Sequence, residues 1–128
     1  TLFNHMQLQP VIHVDEGGET ASARWRALIQ IGWLGDHARW GEGTMENRYV
    51  KRGGVWQIAK HHFFTTYYIE FDQGWDKGGV ALAPPLPGVT PDEALTVHYG
   101  AFPDVYIPPF HYGNPVTGKA WSGEGEVK

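Results

Sequence analysis

The stretch "ARWRALIQI" (23–31) limits the fold more than any other part of this chain. Its side chains alternate between two sides. Trp25, Ala27, Ile29 and Ile31 share one; Arg24, Arg26, Leu28 and Gln30 share the other. A period of two is the signature of an extended strand. No stretch of the chain carries the apolar spacing of an amphipathic helix of about 12 or more residues. Further strands are predicted over 2–14, bent at Pro10, which cannot donate to a ladder. "DEGG" (15–18) is a turn, and residues 38–51 and 55–67 form a hairpin through "RGG". The best helix signal is "TPDEAL" (90–95). It has Thr90 as N-cap, Pro91 at the first helical position and Glu93 at the capping-box position, enough for a turn or two.

Such a sheet has apolar residues on both faces, and a single uncovered layer is not stable. Cover must come from the C-terminal part of the chain, from a second subunit or from helices outside this sequence. The chain begins at Thr1 in a strand-like run, which suggests a processed, trimmed or partial product. Residues 79–128 contain eight of the nine prolines and read as an irregular Pro-rich tail of the same domain, whose sheet spans 1–78. Its aromatics (Tyr99, Phe102, Tyr106, Phe110, Tyr112, Trp121) favour wrapping over a purely solvated tail.

Composition excludes several classes. A net charge of −4 gives no electrostatic case for nucleic acid or an anionic membrane. No apolar run approaches the roughly 20 residues of a membrane helix. With no cysteine there is no disulfide framework, thiolate nucleophile or Cys-ligated zinc, which suits a cytoplasmic location. No phosphate loop or Gly-x-Ser-x-Gly elbow occurs. His61 and His62 are adjacent on a strand, so their side chains point to opposite faces and cannot hold one metal ion. No metal or cofactor is expected.

The hairpin "GEGTMENRYVKRGGVWQIAKHH" resembles the SnoaL-like branch of the nuclear transport factor 2-like superfamily, and "VIHVDEGGETASARWRALIQ" is similar to its central strands. "PFHYGNPVTG" (109–118) resembles tails in the same group. The resemblance covers about 1–78 and the tail loosely. It implies an α+β fold: a curved, mostly antiparallel sheet of a cone-shaped barrel, strand-dominated here because the N-terminal helices have no counterpart. In the scytalone dehydratase type the catalytic set is two strand histidines, an Asp and tyrosines that hold a water. Here the first histidine falls on His5, the second position is Gln30, and the Asp and tyrosines are absent. The match implies a pocket face of His5, Arg26, Leu28, Gln30, Gly43, Met45, Asn47, Ala59, His61 and Thr65. It puts Trp25, Ala27, Ile29, Ile31, Trp56 and Ile58 on an outer face, through which relatives pair into homodimers.

On that assignment His5 and His61 are the candidate catalytic residues, because imidazole exchanges a proton near neutrality. The structural alternative for each is a hydrogen-bonded strand histidine. Gln30 and Asn47 are candidates to hold a carbonyl or hydroxyl, Met45 and Leu28 to supply an apolar wall, and Arg26 and Thr65 to complete a substrate-binding set. Arg26 has a structural alternative in a pair with Glu42 or Glu46. The expected function is a cofactor-independent dehydratase, isomerase or cyclase (a lyase or isomerase) acting on a small hydrophobic or cyclic ligand, with His5 as acid/base. The alternative is a non-catalytic ligand-binding or dimeric assembly module of the same fold.

Overall fold

A computed structural model describes residues 1–80, 87–96, 102–104 and 106–121. Six antiparallel strands form one sheet: β1 (Leu2–Gln7), β2 (Val11–Val14), β3 (Thr20–Gly32), β4 (Ala38–Arg52), β5 (Val55–Lys60) and β6 (Phe63–Glu70). The two long strands β3 and β4 lie side by side at the centre. β1 and β2 share the free edge of β3, and β5 and β6 share the free edge of β4. The sheet is therefore four ribbons wide, curled into a half-barrel, with each outer ribbon broken once. The first break falls at Leu8–Pro10, where Leu8 N–H still reaches the Arg26 carbonyl at 2.8 Å but Pro10 has no donor. The second falls at His61–His62.

The hairpins follow the turn chemistry. Gly53 and Gly54 have φ of 56° and 79° between β4 and β5, the two positive values of a type I′ turn. Gly18 at φ 69° closes the β2–β3 turn, with its N–H donating to the Asp15 carbonyl at 2.8 Å. Residues 90–95 form no helix. One capping signal over six residues, without an apolar face to bury, does not offset the cost of nucleation. Glu93 pairs with Lys60 at 2.6 Å instead. Among the described residues the only helical element is the short 3-10 turn Trp75–Lys77, and no helix is long and apolar enough to cross a membrane.

Register sorts the side chains, because directly opposed residues of an antiparallel pair share a face. His5 opposes Ile29, which opposes Gly41; Trp25 opposes Met45, and Ala23 opposes Asn47. One face, the histidine face, thus carries His5, Gln7, Ala23, Trp25, Ala27, Ile29, Met45 and Asn47. The other, the arginine face, carries Arg24, Arg26, Leu28, Gln30, Glu42, Thr44, Glu46 and Arg48.

This corrects the expected strand phase. Arg26, Leu28 and Gln30 do not face His5; Trp25, Ala27, Ile29 and Ile31 do. Since side chains alternate, a one-residue offset between β1 and β3 exchanges the whole set. The apolar and small residues line the inside of the curl, where Ala23, Ala27 and Ile29 are buried. Arg24 and Arg26 pair on the other face with Glu46 and Glu42. Trp56 and Ile58 also change sides. The β4–β5 register shifts at Arg48/Tyr49, leaving Ala59 as an extra residue, so Ile58 opposes Tyr49 and Trp56 opposes Lys51 on the histidine face.

Residues 106–121 carry no regular element but touch the arginine face. Arg24 donates to the Pro108 and Pro109 carbonyls, both at 3.3 Å, and its guanidinium lies 3.9 Å from the centre of the Phe110 ring. Tyr106 meets Phe64 at a ring separation of 5.9 Å. His98 and Tyr99 lie outside the described residues.

Candidate functional site

The histidine face is organised by Asn47, which is 3% exposed on β4. Its amide nitrogen donates to the Tyr49 hydroxyl at 3.1 Å, and the Trp25 indole N–H donates to the same oxygen at 3.2 Å. Its amide oxygen lies 3.0 Å from His61 Nδ1 and 3.4 Å from the backbone nitrogen of His62. A backbone N–H can only donate, so the atom facing it must be the oxygen. That orientation makes His61 Nδ1 the protonated nitrogen of the neutral ring and leaves the lone pair on Nε2.

His61 and His62 separate as strand alternation requires. They fall between the Arg48–Lys60 and Met45–Phe63 pairs. His61 thus sits opposite Asn47 on the histidine face and His62 opposite Glu46 on the arginine face. The Glu46 N–H donates to the His62 carbonyl at 2.9 Å, and His62 Nε2 meets the Thr96 hydroxyl at 2.9 Å.

His5 comes from the opposite edge. Burial first, and repulsion from a charge on His61 second, hold its pKa below the ordinary histidine value. β3 and β4 stand between the strands of these two histidines, so the electrostatic contact requires the sheet to curl toward their face. Gln7 Nε2 donates to the Met45 sulfur at 3.8 Å beside them. Thr65 opposes Gly43 on the same face. By register His5, Met45, Asn47, His61 and Thr65 share this face. The structure places Arg26, Leu28 and Gln30 behind the sheet, with Gln30 accepting from Asn4 at 3.1 Å and Arg26 paired with Glu42.

Residues 1–62 match the SnoaL-like domain, a member of the nuclear transport factor 2-like superfamily. This stretch is similar to a SnoaL-like domain. No curated protein matches the chain. The matched stretch contains β1 to β5 and with them His5, Trp25, Asn47, Tyr49 and His61; Thr65 and residues 106–121 lie beyond the match. Sequence reasoning missed Tyr49 as the partner of Asn47 and Trp25 as the second donor to Tyr49. Tyr49 was accessible, since it stands two residues from Asn47 and so on the same side of β4. Trp25 was not, because the strand phase had put it on the other face. Among the described residues no three His, Asp or Glu side chains are grouped to hold a metal ion.

Around these polar groups the face is apolar. Phe3, Ile12, Val14, Trp56 and Ile58 belong to it by register and are 42–69% exposed. The arrangement offers a proton acceptor, His61 Nε2, and a neutral imidazole, His5, beside an apolar surface.

Proposed function

We propose that the chain forms the sheet half of a small-molecule pocket that carries out cofactor-independent proton transfer, dehydrating or isomerising a cyclic carbonyl compound. The observation that carries this is the pairing on one face of His5 with a His61 whose Nε2 is left free by Asn47. His61 Nε2 removes the proton next to the substrate carbonyl, and the C–H electron pair becomes an enolate. His5, kept neutral by burial and by His61, donates an N–H to the carbonyl oxygen where the negative charge develops. The enolate re-forms its carbonyl by expelling a β-hydroxyl, which takes the proton from His61 and leaves as water. Both imidazoles return to their starting state. This gives His61 the base role that the sequence alone suggested for His5, and it uses neither Gln30 nor Arg26.

The test is turnover of a panel of cyclic β-hydroxy ketones in metal- and cofactor-free buffer, followed by the near-ultraviolet absorbance of the enone. The wild-type chain should exceed the buffer rate, and His61→Gln should lose at least about 100-fold, the size of general base catalysis. A wild-type rate equal to that of His61→Gln on every compound contradicts the proposal. The exposed apolar rim favours a second reading, a ligand-binding or dimeric assembly module. Saturable binding or self-association without turnover supports it.

A further inference from the structure

On the arginine face, separate from the site just described, residues 107–121 and β2 line a half-open cavity of about 930 Å³. That is within the size range of small-molecule sites. Its walls are Val11, Ile107, Phe110, Tyr112 and Trp121, with His13 among them. The aromatic rings brace one another: Phe110 meets Tyr112 edge-on at 5.3 Å and Trp121 edge-on at 6.4 Å. Lys119 also belongs to the lining, and among the described residues no Asp or Glu does.

Two polar features set the chemistry. The Trp121 indole nitrogen is buried, and among the described residues it has no hydrogen-bond partner. Indole N–H is a donor only, so what it lacks is an acceptor; native proteins seldom leave such a group unmet. His13 is the end of a chain leading into the sheet. Its Nδ1 lies 3.0 Å from His111 Nε2, and His111 Nδ1 lies 2.9 Å from Glu46, which also pairs with Arg24. With Nδ1 committed, Nε2 is the free nitrogen of His13. When His111 is the donor of that bond, His13 carries its own proton on Nε2 and offers a second donor. Arg24, Lys119 and Tyr112 are packed around this chain, and Arg48 stands beside it, donating at 3.0 Å to Ser22, the residue opposite His13.

We propose that this cavity is a second small-molecule site, which takes a planar aromatic carboxylate. The ring system lies between the aromatic walls. The carboxylate accepts from Trp121 Nε1 and from His13 Nε2, with Lys119 supplying the opposite charge. One flat, singly charged group suits two ring donors and a lysine. A phosphate calls for the arginine fork, and Arg24 is already engaged with Glu46 and two backbone carbonyls.

Calorimetric titration of the full chain with 2-naphthoate, and with 2-naphthamide as the neutral isostere, tests this. The proposal expects one saturable site, at least about tenfold tighter for the acid. His13→Phe keeps a ring and removes the donor, and it should weaken 2-naphthoate more than 2-naphthamide. Trp121→Phe keeps the ring and removes the donor; it should weaken 2-naphthoate about tenfold, the scale of one charge-assisted hydrogen bond. Lys119→Met, at an exposed position, should weaken it with no change in melting temperature. Absence of binding by the wild-type chain, equal affinity for acid and amide, or full affinity in both Trp121→Phe and Lys119→Met overturns the proposal.

Discussion

Replacing Asn47 by Leu removes three hydrogen bonds while keeping the side chain's volume almost unchanged, so the cost is polar rather than a cavity. The bond to Tyr49 at 3.1 Å and that from His61 at 3.0 Å have ordinary geometry. Each contributes about 1 kcal/mol. The His62 N–H at 3.4 Å is weaker, but it loses an acceptor. Tyr49 keeps its bond from Trp25, and the leucine gains some apolar burial. The net loss is about 2 kcal/mol, which lowers the melting temperature by about 8 °C at roughly 4 °C per kcal/mol. Urea denaturation measures the first quantity, and a thermal melt the second. Long-range nitrogen–proton NMR on the folded variant reads the His61 ring, whose Nδ1–H form should lose its preference. A variant within about 0.5 kcal/mol of wild type, or one whose His61 tautomer is unchanged, would refute the claim that Asn47 holds this histidine.

Other outcomes follow from the same coordinates. Gly43→Ala would place Cβ 2.5 Å from the Phe64 carbonyl oxygen and against the Phe63 ring. It should cost at least about 2 kcal/mol in urea denaturation, while Gly17→Ala, with nothing within 4 Å, should stay within about 0.5 kcal/mol. Arg24→Met leaves the half-buried Glu46 carboxylate with His111 as its remaining partner. It should cost about 3 kcal/mol, and adding Glu46→Leu should recover much of that, read by a double-mutant cycle. His5 and His62 both have lowered pKa values, chiefly through burial. The unfolded chain therefore binds more protons than the folded one as pH falls through the ordinary value of about 6.5. Stability is full above that value and declines below it, down to the folded-state values. Urea midpoints from pH 8 to pH 5 should show this, with a smaller decline in His5→Gln.

The strands were legible because their local signals are strong: the alternation of "ARWRALIQI", the Gly53–Gly54 turn and the break at Pro10. The separation of His61 from His62 followed from alternation alone. Register was not legible. Nothing local in β1 says whether His5 opposes Ile29 or Gln30, and that choice decides which half of β3 accompanies the histidine. Placing His5 and Gln30 on one face, as the family resemblance implied, reversed the answer, because the apolar side of β3 lies with His5. The extra residue at Ala59 then moved Trp56 and Ile58, and alternation cannot anticipate a bulge. The Glu46–His111–His13 chain joins positions 65 and 98 residues apart, which no spacing rule connects.

The account rests on His5 and His61 working in one site, and the pKa of His5 reports this directly. An NMR titration of the histidine ring protons in the wild-type chain, His61→Gln and His62→Gln gives the comparison. His61→Gln should raise the His5 pKa toward, but not up to, its ordinary value, because the repulsion goes and the burial stays. His62→Gln should leave it unmoved. An unchanged His5 in His61→Gln would mean that the two histidines do not share a face, and the proposed proton transfer would fall with it.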